Sequence, residues 1–286
     1  EIIRHRGLGA EVKERMSKPC LSPQQMGADL AHVTVQVARC ARARDVAGAF
    51  RLLGEVDSPN VIVHNAVLSA CAKAYDFRRA QELWAAMPEK TVVSYNTMIR
   101  ICGAALKASV VDDLWEEMQQ SGVEPDIYTY TALIKAYAQS AQVEKALDML
   151  NRLRSVAAPD AVAFAAAMSA CARAGDYARA REIFVEMIGD GIPPTNFHVN
   201  SLLAACAKRG DADVAEALFK MMPSYNLVPT EMDYCVLMAC CRHDVQRCRG
   251  VLQELRESRV EPDAVTLQNM VTVEVDAGNQ GEAALL

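Results

Sequence analysis

Aromatic residues are scarce, 6% of the 286 residues with two tryptophans, and no segment alternates β-branched and aromatic residues over the length of a useful strand. A sheet-based core is thereby excluded. Long apolar runs are also missing. The nearly uncharged stretch Ala161 to Ala172 is too short and too alanine-rich to cross a bilayer, which takes about 20 apolar residues, so no membrane span is expected. Motifs that carry chemistry are equally thin: there is no C-x-x-C pair, no H-x-E and no G-x-x-x-x-G-K-[ST] phosphate loop. His5, His32, His64, His198 and His243 are scattered, without the spacing that metal ligands need. No metal, cofactor, catalytic residue or small-molecule substrate is expected.

What the chain has instead is a phrase that returns seven times. A large apolar residue recurs as Leu53, Trp84, Trp115, Leu150, Phe184, Phe219 and Leu252, in steps of 31, 31, 35, 34, 35 and 33. Three residues after each stands another apolar one, Val56, Met87, Met118, Leu153, Met187, Met222 and Leu255, the spacing of neighbours on one helix face. Two columns in one phase place repeats at 30–60, 61–91, 92–126, 127–160, 161–195, 196–230 and 231–263, with an eighth begun at 264 and cut off at 286. A fixed period of this length is the mark of a solenoid, in which each repeat buries its apolar face only against its neighbours. One elongated domain is expected. Residues 1–29, with Arg4, Arg6, Lys13, Arg15 and Lys18, form an N-terminal extension: a degenerate repeat, a capping helix around Glu11 to Met16, or the remnant of a processed leader.

Each repeat divides into two helices. The first opens on β-branched or aromatic residues, as in Tyr130-Thr131-Ala132-Leu133, and meets a break such as Ala174-Gly175-Asp176 or Arg209-Gly210-Asp211. Glycine suits the left-handed close of a helix and aspartate the N-cap of the next. The second helix is amphipathic and stops before Pro125, Pro159, Pro194, Pro229 or Pro262, since proline cannot continue it.

Ten cysteines would suggest disulfides in a small secreted protein, but Cys40, Cys71, Cys102, Cys171, Cys206 and Cys241 occupy one column of the repeat, which Tyr137 fills in the fourth. Equivalent positions in stacked repeats lie about 8–10 Å apart, beyond the reach of a disulfide. They read as small packing residues in a reducing compartment. Cys240, Cys241, His243 and Cys248 would be the one candidate metal set, and two of them already belong to repeat columns.

The formal charge of −6 argues against a polyanionic partner, yet the charge is segregated. In the first fourteen residues of the first six repeats stand Arg39, Arg42, Lys73, Arg100, Lys135, Arg173, Lys208 and Arg209, and no acid. Acids such as Asp112, Asp113, Glu116, Glu117, Glu182 and Glu186 sit on second helices. A basic face on first helices fits a nucleic acid. Core-facing helices would shed acids on their own account, but that does not explain the one-sided bases.

The Tyr95-Asn96 near a repeat start, the Cys or Tyr at the eleventh place, the Met closing the second helix and the terminal Pro125-Asp126 resemble the pentatricopeptide repeat family, over about Leu30 to Leu286. The tetratricopeptide pattern W-x-x-L-G-x-x-Y is in no repeat. The resemblance implies an all-α fold, a right-handed superhelical α-solenoid of helix-turn-helix repeats, and modular binding of single-stranded RNA with one base per repeat.

Residue by residue, it implies RNA-backbone contacts from the thirteenth-place cations Arg42, Lys73, Arg173 and Lys208, with Arg100 and Lys135 one turn earlier substituting where Ala104 and Gln139 depart. It implies base stacking on the second place, Ile62, Val93, Tyr128, Val162 and Phe197, where Ala31 and Met232 also fall. Ordinary first-turn packing is the competing role for that column. Base reading is implied for the fifth and last places: Thr34 with Asn60, Asn65 with Thr91, Asn96 with Asp126, Thr131 with Asp160, and Asn200 with Thr230. By resemblance these pairs favour adenine, a pyrimidine, uracil, guanine and a pyrimidine. Ala165 with Thr195 and Cys235 with Asp263 read as permissive.

The function implied is sequence-selective RNA binding in a mitochondrion or plastid, in RNA processing, stability, editing or translation. The alternative is an architectural subunit of an organellar ribosome or other large complex, gripping protein partners or structured RNA. Editing deaminases of the family carry H-x-E and C-x-x-C in an added domain, and neither motif is here. The start at Glu1 rather than methionine is what a removed leader would leave.

Overall fold

Proline and glycine punctuation fixes where each helix starts and stops. The structure, a computed structural model, describes residues 23–258 and 261–285, with side chains from Leu30 onward. The described residues form sixteen α-helices and one 3-10 turn, Met222–Tyr225, and no strand. First helices run Val61–Ala74, Val92–Ala104, Ile127–Gln139, Ala161–Ala174, Asn196–Arg209, Glu231–Cys240 and Ala264–Asp276, each beginning on the residue the repeat phase predicts. The second helices end three to five residues short of Pro125, Pro159, Pro194 and Pro262, whereas Ala212–Met221 ends eight short of Pro229, with the 3-10 turn between.

The first repeat departs from this. Its opening helix is Pro23–Ala43, so residues 23–29, assigned from sequence to the extension, belong to the repeat. Pro23 stands at the first helical position, where a missing N–H and a fixed φ are no handicap. The suggested capping helix around Glu11 to Met16 lies outside the described residues.

Where the sequence leads one to expect a single elongated domain, the chain separates into two compact units, Glu1–Glu89 and Lys90–Leu286. In the first unit, Pro23–Ala43 packs on Val61–Ala74, the second helix Val46–Gly54 packs against both, and Phe77–Ala86 packs against Val61–Ala74. In the second unit, successive first helices lie directly on one another from Val92–Ala104 through Ala264–Asp276, while each second helix packs chiefly against first helices. First helices therefore form the tight inner layer. Its core is the fourth-, seventh- and eighth-place columns: Tyr95, Met98, Ile99, Leu133, Ile134, Phe164 and Met168 are almost wholly enclosed.

The cysteine column behaves as packing. Cys71, Cys102, Cys171, Cys206 and Cys241 are buried and unbonded, and burial pushes their thiols up to about 11 or 12, far from the thiolate that reacts or binds metal. Tyr137 is buried as well, its hydroxyl donating to Asp112 of the preceding repeat at 2.9 Å. Cys240, Cys241, His243 and Cys248 do not converge. Cys240 Sγ turns to the Leu203 carbonyl, Cys248 Sγ to those of Met238 and Cys241, and no three potential metal ligands meet among the described residues.

Helix closure is more varied than the Gly-Asp break implies. Gly175 and Gly210 take the left-handed conformation at φ 75°, as expected. Arg44, Tyr75, Leu106 and Ala141 take it too, at φ 55–58°, a position that costs L side chains energy. Asp45, Asp76, Asp176 and Asp244 then cap the second helices through side-chain oxygens.

Candidate nucleic-acid interface

Places two, five, nine and thirteen of the first helix are spaced by three and four residues and so share one face. The structure puts the second place in solvent throughout. Ile62, Val93, Tyr128, Val162, Phe197 and Met232 are exposed, Tyr128 by 76% and Phe197 by 57%. The competing role, first-turn core packing, does not fit side chains left this open. Val265, the same place of the eighth repeat, is exposed as well; position in the repeat was the only signal that could have found it.

The cations of this face are as distinctive. Arg42, Lys73, Arg100, Lys135, Arg173 and Lys208 are all exposed, and none is in an ion pair with a described residue. Lys208 Nζ donates to the Arg173 carbonyl, which leaves both charges unneutralised. Second-helix cations do the opposite: Lys145 pairs with Asp112, Arg154 with Glu186, Arg179 with Glu144 and Arg247 with Asp213, each tying one repeat to the next. A charge without a carboxylate partner, repeated along one face, is free for an external anion.

The fifth and last places come together in the third repeat. Asn96 Nδ2 donates to Asp126 Oδ1 at 3.2 Å. Asp126 is also the N-cap of the following helix, where Oδ1 accepts from the Thr129 amide at 2.7 Å and its hydroxyl at 2.8 Å. Burial pushes the Asp126 pKa up, but the hydrogen bonds from Thr129 and Asn96 outweigh it and hold the carboxyl below its ordinary value. Asn96 Oδ1, like Asn200 Oδ1, is covered and has no partner.

Capping proves to be the common role of the last place. Asn60, Thr91, Asp126, Asp160, Thr195, Thr230 and Asp263 each stand at the N-cap of the next first helix. The sequence offered the signal, a short polar residue just ahead of each apolar helix start. At the fifth place, the Thr34 and Thr131 hydroxyls donate back to the carbonyls of Leu30 and Ile127, both at 2.8 Å. Asn65 and Thr91 fall in different units.

A groove of about 520 Å³ opens on this face between the fourth and sixth repeats. It gathers Lys135, Arg173, Val162, Phe197, Ala165 and Thr195, representatives of every column named above. His198 supports it from beneath. Its Nδ1 accepts from the Thr195 amide at 3.1 Å, and Nε2 meets the Ala161 carbonyl at 3.1 Å, joining the caps of two repeats.

Burial lowers the pKa of His198, so neutral imidazole is the folded form. The sign follows. An unfolded chain takes up the proton near the ordinary value of about 6.5 before the folded one does, so stability is full above that pH and is lost as pH falls through the lower folded value. Thermal melts at pH 7.5 and 5.5 check this: the wild type should lose stability at the lower pH, and His198→Gln, which can still cap, should lose less.

Stacked helix pairs of recurring length, with exposed second-place apolar residues and cations without ion pairs on their first helices, define the class: a helical-repeat protein. Family models match in register, a pentatricopeptide repeat domain over 57–105, the PPR repeat family over 90–139, a PPR repeat over 128–156 and the pentacotripeptide-repeat region of PRORP over 161–283. The chain belongs to the pentatricopeptide repeat family.

Among curated relatives, the mitochondrial 15S rRNA processing factor CCM1 of Vanderwaltozyma polyspora is 29% identical over 76 residues, 26% of this chain and 9% of that protein. A pentatricopeptide repeat-containing protein of Arabidopsis thaliana is 30% identical over 88 residues, 30% of this chain and 20% of that one. Among solved structures, PPR10 from maize matches with a TM-score of 0.73 and 23% identity, over 89% of this chain and 38% of that one. PPR10 in complex with an 18-nt psaJ RNA element matches with 0.81 and 16% identity, over 96% and 40%. The chain thus spans a minor part of each of these proteins. No helix among the described residues is long and apolar enough to cross a membrane.

Proposed function

We propose that this chain binds single-stranded RNA along the first-helix face, one base per repeat, and acts on organellar transcripts, in a mitochondrion or plastid. The observation that carries the reading is the register of two columns: exposed second-place apolar residues and exposed cations without ion pairs. Stacking on the former is tolerant of sequence, and phosphate contacts with the latter supply affinity. The likeness to PPR10 in its RNA complex and to a mitochondrial rRNA processing factor supports both the ligand class and the compartment. PRORP1, whose PPR domain was solved with tRNA, pairs such repeats with a ribonuclease activity, so a role in processing fits without placing catalysis in these residues.

Thr131→Asn is the decisive substitution. It gives the fourth repeat the fifth-place residue of the third, Asn96, against the same last residue, Asp160 beside Asp126. If these side chains read bases, selection from a random RNA pool should show one position moving from guanine to uracil, a discrimination of about 1–3 kcal/mol. The salt slope should stay the same, since no phosphate contact changes. Unchanged base frequencies would refute reading through this column. Absence of binding to any single strand by the purified chain would favour the architectural role instead.

A further inference from the structure

The fifth repeat carries Ala165 where the third, fourth and sixth carry Asn96, Thr131 and Asn200. The missing amide or hydroxyl leaves the groove there with a floor of small side chains, Ala161, Ala165, Ala166 and Ser169, between the exposed Val162 and Phe197. At about 520 Å³ the space lies in the range of ligand pockets, roughly 300–1,000 Å³. The other half of the reading pair is also occupied: Thr195 Oγ1 lies 2.8 Å from His198 Nδ1, within its own capping box. Hydrogen-bond selection is therefore weak at this repeat, while room and an aromatic platform are plentiful.

Resting on the RNA reading above, we propose that the fifth repeat selects a purine by size and stacking, in the pocket that Ala165 opens. A two-ring base removes more apolar surface from water against Phe197, Val162 and the alanine floor than a one-ring base does. Lys135 and Arg173, exposed and without ion pairs on the rim of the same groove, hold the flanking phosphates. The position that the resemblance leaves permissive is then A or G.

With the strand taken to run parallel to the protein, as the family resemblance implies, the test uses short RNAs identical except for the nucleotide 3′ to the one that Thr131→Asn switches, titrated with the full chain by fluorescence anisotropy. Wild type should bind A and G at that nucleotide about five- to tenfold more tightly than C and U, a fraction of what a whole stacked base contributes. Ala165→Val, which fills the floor without adding a hydrogen-bonding group, should bring the four bases within about twofold at an unchanged salt slope. Phe197→Ala, which removes the platform and leaves the floor alone, should do the same and covers the case in which the valine variant folds poorly. Equal binding of all four bases by wild type, while the neighbouring position still discriminates, overturns the purine proposal and leaves the RNA reading standing. A purine preference that survives both substitutions also overturns it. Absence of binding to every RNA overturns both.

Discussion

Alanine at Arg42, Lys73, Arg173 and Lys208 together should flatten the plot of log K against log salt by about 3, at roughly 0.7 per neutralised phosphate on a single strand. Between 50 and 200 mM salt a slope of that size is about fiftyfold in affinity, and the quadruple variant should lose that sensitivity while weakening every sequence alike. The expectation rests on partners. These four side chains are exposed and lack carboxylates among the described residues, so their removal breaks no ion pair there and costs only the exposed hydrogen bond from Lys208 to the Arg173 carbonyl. Lys145 and Arg179, paired with Asp112 and Glu144, supply the control: alanine there should leave the slope unchanged and alter stability by about 0–1 kcal/mol, as for other surface ion pairs. Titrations at four salt concentrations decide it. A slope that survives the quadruple change would remove the first-helix face as the RNA site.

Phe164→Ala and Phe197→Ala should separate folding from binding. Phe164 is wholly buried in the inner layer, with the Arg154 guanidinium 5.6 Å from its ring centre, and its truncation should cost about 3–5 kcal/mol of stability. Phe197, 33 residues on in sequence and two places into its helix, is mostly in water. Its removal should change stability by no more than about 0.5 kcal/mol but weaken RNA binding by about 1–3 kcal/mol. Denaturant titration and anisotropy on the same two proteins check both halves. Similar losses of stability would mean that Phe197 packs rather than presents itself.

Helix starts were the most legible part of this fold, because a capping residue, an apolar first turn and a proline upstream all point to one position. The start at Pro23 was not, since the repeat phase carries no information upstream of its first full copy. The columns of the interface could be named from repeat position alone, but their state could not. Whether Val93 or Tyr128 faces water depends on how the next repeat stacks. That Arg100 stays unpaired while Arg179 pairs with Glu144, a residue of the preceding repeat, is equally a matter of register between repeats. Capping by the last place was legible at Asn60, Asp126 and Asp160, each a short polar residue just ahead of an apolar helix start. The division at Glu89 and Lys90 has no compositional trace, as both flanking repeats share one pattern.

Because Asn60, Thr91, Asp126, Asp160, Thr195, Thr230 and Asp263 each cap the next helix, the alphabet open to that column is short. Only Asn, Asp, Ser and Thr cap well, and an apolar replacement costs about 0.5–2 kcal/mol at each helix start. A designer rewriting the target of this chain has free choice at Asn96 or Thr131, where the helix is already under way. At the last place of a repeat, each change of spelling must also be a good beginning for the helix that follows.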